Sequence, residues 1–163
     1  LQKTFLEISA AVVDALRAIG VPARISGGKR AHRREGMDAP CLVSTSRHEV
    51  TSGGRKIVGS AQRRTRSAFL QHGSILVRPA SARIADYMRG ERQEISSMVT
   101  SVYEETGSET AEESLRKALP GSFAARFGVA LAARTLDPGD LEEIGARARL
   151  KAEEFSREET KGR

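Results

Sequence analysis

Lys56, Cys41 and two runs of small residues are the parts of this chain equipped for chemistry. Lys56 sits in Gly54-Arg55-Lys56-Ile57-Val58-Gly59-Ser60-Ala61-Gln62-Arg63, and Leu70-Gln71-His72-Gly73-Ser74 follows shortly after. A lysine ammonium can hydrogen-bond a carbonyl oxygen on which negative charge develops. Gly59, Ser60, Ala61 and Gly73 are small enough to let a ligand approach the backbone closely. Cys41, the single cysteine, lies fifteen residues before Lys56. A thiolate is a strong nucleophile, and a nearby positive charge favours it over the thiol. Nucleophile, oxyanion donor and pocket wall are together the parts of an acyl-transfer site.

Each of these residues has a plainer reading. Cys41 follows Pro40, and a lone cysteine taken by itself is more often a buried structural residue; the case for chemistry depends on Lys56 and the Gly-Ser-Ala step. Lys56 comes just after a hairpin turn, so it either faces solvent or points into a cleft, and strand alternation alone leaves the choice open. His72 is a general-base candidate, but a histidine within a strand is more often packed and hydrogen-bonded, so His72-Gly73 counts chiefly as backbone lining a pocket. Ser26-Gly27-Gly28-Lys29-Arg30-Ala31-His32 has a glycine pair and basic residues, but not the spacing of a P-loop. It reads as a loop. His32 and His48 have no ligand-spaced partners, and no metal site is expected.

The elements that position these residues show in the apolar pattern. Phe5, Ile8, Val12, Leu16 and Ile19 mark one face of a helix, which Gly20 and Pro22 end. Ala23-Arg24-Ile25 fits a short strand, and residues 26–39 a loop. Cys41-Leu42-Val43 is a short apolar run. His48-Glu49-Val50-Thr51, then Ser52-Gly53-Gly54, then Arg55-Lys56-Ile57-Val58-Gly59 is a hairpin signal. Residues 68–77 form a third run, which predicts an antiparallel meander. Beyond Pro79, Ile84, Met88, Ile95, Met98 and Val99 are spaced as in a helix. Residues 104–109 read as a loop, with a capping box expected at Thr110 and Glu113. A helix is expected over 112–127, broken by Pro120-Gly121. A last amphipathic helix is expected over 140–156 on Leu141, Ile144, Ala148 and Phe155, with 157–163 frayed.

The chain has 163 residues, 39% of them hydrophobic and only 4% aromatic. That suits one α/β or α+β domain with an aliphatic core. No apolar run nears the roughly 18 residues that cross a bilayer, and no signal peptide is visible, so no membrane partner is expected. A lone cysteine fits a reducing, cytoplasmic setting. Residues 1–83 carry 15 Lys and Arg against 5 Asp and Glu, whereas residues 84–163 carry 12 against 16. The basic half either attracts an anionic partner or consists of solvated arginines such as Arg30, Arg33, Arg34, Arg63, Arg64 and Arg66.

The segment from Asp38-Ala39-Pro40-Cys41 to Ser74 resembles the lipoate and octanoate transfer enzymes, which share a catalytic domain with the biotin protein ligases. The resemblance rests on Pro40-Cys41, on His48-Glu49, on Gly54 to Arg63 and on Leu70 to Ser74. It implies an α+β fold, mainly an antiparallel sheet with flanking helices, with catalytic-domain residues over 1–80 and a small C-terminal helical segment over 81–163. A cysteine at this place resembles the octanoyltransferase branch. The resemblance then implies that Cys41 carries the acyl group as a thioester and that Lys56 contacts the acyl carbonyl. Gly59, Ser60, Ala61, His72 and Gly73 would line the acyl pocket. The implied partners are acyl carrier protein as donor and a lipoyl-accepting protein, such as the glycine cleavage H protein or a dehydrogenase lipoyl domain, as acceptor. No cofactor is implied for that reaction.

Family members carry an earlier Arg-Arg, Gly-Gly and His segment before the first helix, and this sequence lacks it. Residue 1 is Leu. The expectation is therefore a chain lacking its N-terminal part. Two rivals remain. One is an ATP- and Mg²⁺-dependent lipoate–protein ligase in which Cys41 is incidental. The other is a non-catalytic basic module that binds nucleic acid or an acidic protein, although few aromatics are present to stack bases and no nucleic-acid partner is expected.

Overall fold

A helix with an apolar face needs a surface to bury against, and here the first helix has two. The computed structural model describes residues 2–27, 48–79 and 97–161. Helix α1 spans Gln2–Ala18. Of the expected face, Leu16 is fully buried while Phe5, Ile8, Val12 and Ile19 are half-buried. Ser9, Ala11, Val13 and Ala15 are buried more deeply. The reason is tertiary: α1 packs against both a later helix and the first strand, so burial spreads beyond one stripe. Gly20, at φ +89°, ends the helix. Its N–H donates to the Arg17 carbonyl and that of Val21 to the Leu16 carbonyl, a Schellman closure.

Four strands are described: β1 (Ala23–Ile25), β2 (Val50–Ser52), β3 (Arg55–Arg64) and β4 (Phe69–Ile75). They form one antiparallel sheet in the order β1-β2-β3-β4, the expected meander. Gly53 and Gly54 connect β2 to β3 with φ of +56° and +82°. Positive φ at both central residues lets a two-residue hairpin match the strand twist, and glycine adopts it without a Cβ clash. The Thr65 N–H and hydroxyl both donate to the Ala68 carbonyl, closing the turn between β3 and β4. Cys41-Leu42-Val43, and Ile84, Met88 and Ile95, lie outside the described residues. So does the boundary expected at 80/81.

The chain after β4 departs from expectation in four places. Val99 is not helical; it makes a parallel bridge to Lys56. Glu104 and Glu105 belong to a short helix α2 (Val102–Thr106), not a loop. Ser101 caps it, accepting the Glu104 N–H at 3.2 Å while its hydroxyl donates to the Glu104 carboxylate at 2.7 Å. The cap thus falls at Ser101, and Thr110 makes no side-chain cap bond. Five residues are too few to show a helical period, which hid α2 from the sequence pattern. Helix α3 runs unbroken over Ala111–Phe127, through Pro120. Packing along α1 outweighs the hydrogen bond that proline removes.

The core of the Leu1–Ala130 unit lies between the sheet and these helices. Val13, Ala15, Leu16, Val21, Ala23, Val50, Ile57, Val58, Val102, Ala111 and Leu115 form one buried cluster. Residues Leu131–Arg163 make a separate unit. Its helix α4 spans Pro138–Lys161, further than the expected 140–156. Asp137 starts it: its carboxylate accepts the Asp140 N–H at 2.8 Å, with Pro138 at the first helical position. No helix among the described residues is long and apolar enough to cross a membrane.

Leu16 is fully buried in this cluster, so Leu16→Ala should lower the unfolding free energy by about 2–5 kcal/mol. Urea unfolding followed by circular dichroism measures this. A loss below about 1 kcal/mol would place Leu16 at the edge of the core.

Candidate active site

Lys56 points inward. Only 2% of its surface is exposed, and Glu49, at 6%, lies beside it. Lys56 Nζ donates to Glu49 Oε1 at 2.8 Å. The register explains the meeting. Thr51 is the partner of Lys56 across the β2–β3 ladder, and Glu49 is two residues before Thr51, on the same face by alternation. A buried ammonium without a counter-charge would be costly, and Glu49 supplies the charge.

A bulge shapes the surroundings. Val50 pairs with Val58 but Thr51 with Lys56, so Ile57 is an extra residue on β3. Lys56, Ile57 and Val58 are consecutive and all buried. A strand with one wet face would alternate instead. Here the start of β3 is covered on both edges. β2 lies on one side; on the other, the Lys56 carbonyl accepts the Thr100 N–H at 2.9 Å and the Ile57 carbonyl accepts the Leu76 N–H at 2.9 Å.

The far half of β3 is different. Gly59, Ser60 and Ala61 stand directly opposite Ser74, Gly73 and His72 of β4. The two motifs are therefore neighbours in register, three to five residues along the strand from Lys56. At about 3.3 Å per residue that is roughly 10–17 Å. Ala61, His72 and Gly73 are exposed, and Gly59 and Ser60 half-buried. His72 is thus not the packed strand histidine that its position favoured. Gly73 is required by close approach: a Cβ there would lie 2.8 Å from Ser60 Oγ and 2.9 Å from the Gly59 carbonyl oxygen. Beyond it, Gln62 donates to Gln71 at 2.8 Å and Arg64 lies over the Phe69 ring. Arg63, Arg64 and Arg66 are all exposed. Cys41 lies outside the described residues.

Two carboxylates were not legible as site components. Glu49 appears in sequence only as half of a His-Glu pair, next to His48, whose φ is +76°. Glu105 sits on α2 and grips the hairpin that carries Lys56. It accepts from Ser52 Oγ at 2.6 Å, from Arg55 at 2.9 Å and from Thr100 Oγ1 at 2.7 Å. Burial pushes the Glu105 carboxyl up. The Ser52 and Thr100 hydrogen bonds and the Arg55 charge outweigh it and hold the group below its ordinary value of 4.5. A pair of glutamates in Tyr103-Glu104-Glu105-Thr106 carries no sequence signal of this role. Among the described residues, no three His, Cys, Asp or Glu side chains are grouped to hold a metal ion.

A four-stranded antiparallel sheet with flanking helices is the fold of the lipoate-protein ligases. The fold matches the crystal structure of lipoate-protein ligase A bound with ATP with a TM-score of 0.66, at 19% identity, over 87% of this chain and 52% of that one. The sequence profile of the lipoyl protein ligase A/B catalytic domain matches residues 1–124, and the chain belongs to that family. It is 34% identical over 152 residues to octanoyltransferase LipM of Symbiobacterium thermophilum, covering 86% of this chain and 54% of the relative. It is 40% identical over 77 residues to octanoyltransferase LipM of Moorella thermoacetica, covering 47% and 28% respectively. The chain spans about half the length of the Symbiobacterium relative. The family and the α+β fold implied by the motifs are thus those observed.

The Glu105 grip makes stability pH-dependent. Its folded value is depressed, so its contribution is complete above 4.5 and is lost as the pH falls through the folded value. Glu105→Gln should cost about 1–3 kcal/mol at pH 7, with the gap to the parent closing in acid. Urea unfolding from pH 7 to pH 3 measures it; a gap independent of pH would contradict an ionised role.

Gly73→Ala should cost about 1–3 kcal/mol by forcing β4 from β3. Gly27→Ala, where a Cβ meets nothing within 4 Å, should change stability by under about 0.5 kcal/mol. Equal effects in thermal melts would refute the close-approach argument.

Proposed function

We propose that the protein is an enzyme of protein lipoylation that transfers an octanoyl group from acyl carrier protein to a lysine of a lipoyl-accepting protein. The acceptor is a carrier such as the glycine cleavage H protein or a dehydrogenase lipoyl domain. The observation that carries this reading is the buried Lys56 at the head of the register-paired motif strands, in a chain 34% identical over most of its length to an octanoyltransferase.

Catalysis runs in two half-reactions. The Cys41 thiolate attacks the carbonyl carbon of the octanoyl thioester. A new C–S bond forms, the bond to the carrier's sulfur breaks, and the carrier leaves as a thiolate that takes a proton from solvent. The acceptor lysine's neutral amine then attacks the Cys41 thioester. An amide forms, Cys41 departs as thiolate, and the amine's surplus proton passes to solvent. In both steps the carbonyl oxygen gains charge, and Lys56 donates a hydrogen bond to it. An ammonium carries three N–H donors and can bond more than one acceptor. Gly59, Ser60, Ala61, His72 and Gly73 line the acyl chain, with no side chain at Gly73 to obstruct it. The exposed Arg63, Arg64 and Arg66 suit an acidic carrier. The reaction consumes no ATP and needs no metal, since the thioester is already activated.

Intact mass after mixing with octanoyl-acyl carrier protein tests the reading. The parent chain should gain one octanoyl group and Cys41→Ala none. Lys56→Ala should acylate about 10²–10³-fold more slowly. An adduct surviving in Cys41→Ala would overturn the nucleophile. Transfer seen only with ATP and lipoate would make the protein a ligase instead.

A further inference from the structure

We infer that Glu49 is a positioning residue for Lys56: its carboxylate, 2.8 Å from Nζ, aims the ammonium at the acyl carbonyl. The inference rests on the proposed transfer reaction and adds a residue with no role in it so far.

Three observations carry it. First, the ion pair is buried at both ends. A buried pair contributes little net stability, because desolvation offsets most of its attraction. Its physical effect is to fix the direction of a flexible four-carbon side chain. Second, Glu49 is itself held from both sides. Its carbonyl accepts the Ser26 N–H at 2.7 Å, and His48, just before it, donates its N–H to the Ser26 carbonyl at 3.0 Å. The carboxylate therefore hangs from backbone just before β2 that is pinned to the residue after β1. Third, the backbone of Lys56 is fixed independently, by Thr51 across the ladder and by the Thr100 N–H. With both backbones fixed, the remaining freedom of Nζ is side-chain rotation, which the Glu49 contact removes. An oxyanion donor is effective when it is oriented before charge develops.

The test compares Glu49→Gln and Glu49→Asp with the parent by two readouts. The first is labelling of lysines by acetic anhydride, mapped by peptide mass, with exposed Lys3 and Lys117 as internal references. Lys56 should be protected in the parent and label several-fold faster in Glu49→Gln, with Glu49→Asp between. The second is the rate of Cys41 octanoylation. Glu49→Gln should slow it about ten- to a hundredfold with the half-saturating donor concentration unchanged, and Glu49→Asp should recover part of the rate. A change that merely loosened the fold would raise labelling generally and would not be rescued by aspartate. Parent-like Lys56 labelling, or a parent-like rate, in Glu49→Gln overturns the inference. Should Glu49→Gln not fold, Glu49→Asp decides alone, since it keeps the charge but withdraws it by one methylene. Altered Lys56 labelling with no octanoyl adduct on the parent would support the placement of Lys56 and overturn the transfer reaction instead.

Discussion

A lysine ammonium held almost wholly out of water constrains everything built around it. Leaving it there unpaired would cost several kcal/mol, so Glu49 must lie within hydrogen-bond reach, and the two strands carrying the pair must keep one register. The register is set at one end by the two glycines of the β2–β3 turn, both at positive φ. It is reset by the bulge at Ile57, after which Val50 meets Val58. A slip of one residue would turn Lys56 to the opposite face. Glu105 secures the same hairpin from outside the sheet, tying Ser52 and Arg55 to helix α2 through one carboxylate. Burial of the lysine and clamping of its hairpin are therefore one construction.

The longest strand has two characters, and the contrast matters for chemistry. Near its start Lys56, Ile57 and Val58 are buried and dry. Its later residues pair only with β4 among the described residues, and become progressively exposed. A charged donor gains strength where water is excluded, whereas a long acyl chain and a protein partner need access. One strand supplies both environments because β2 is only three residues long and stops covering it. The small residues where the strands lie open follow from the same geometry. At Gly73 the neighbouring backbone leaves no room for a Cβ, and the opposed Gly59 and Ser60 keep the ribbon thin.

The helices serve this arrangement by closing its core. Helix α1 touches α3 along one side and β1 on another, which explains why its buried residues do not follow a single stripe. Arg126 of α3 meets Asp14 of α1 at their exposed margin. Such a pair adds little stability, so the weight rests on apolar contacts of Leu16, Leu115 and Val13 in the shared cluster. That packing also holds α3 straight through Pro120, where its own backbone bonding is weakest.

Local chemistry was legible in the sequence wherever it depended on residues close together in the chain. Gly20 after an apolar helix and Gly53-Gly54 between β-formers each specify a conformation through backbone sterics. Each appears in the fold as expected. The motif residues from Gly54 to Ser74 likewise pointed to the family, because their spacing is a property of the chain itself. The tertiary structure decided what depends on distant partners. Whether Lys56 faced water or the core was undetermined by alternation, since a bulge changes faces and only packing in the folded chain decides which face is buried. That Glu49 would meet Lys56, that Glu105 would grip a hairpin fifty residues away, and that α3 would survive a proline all follow from packing. Charge pairing and burial act through space, and a sequence orders residues only along the chain.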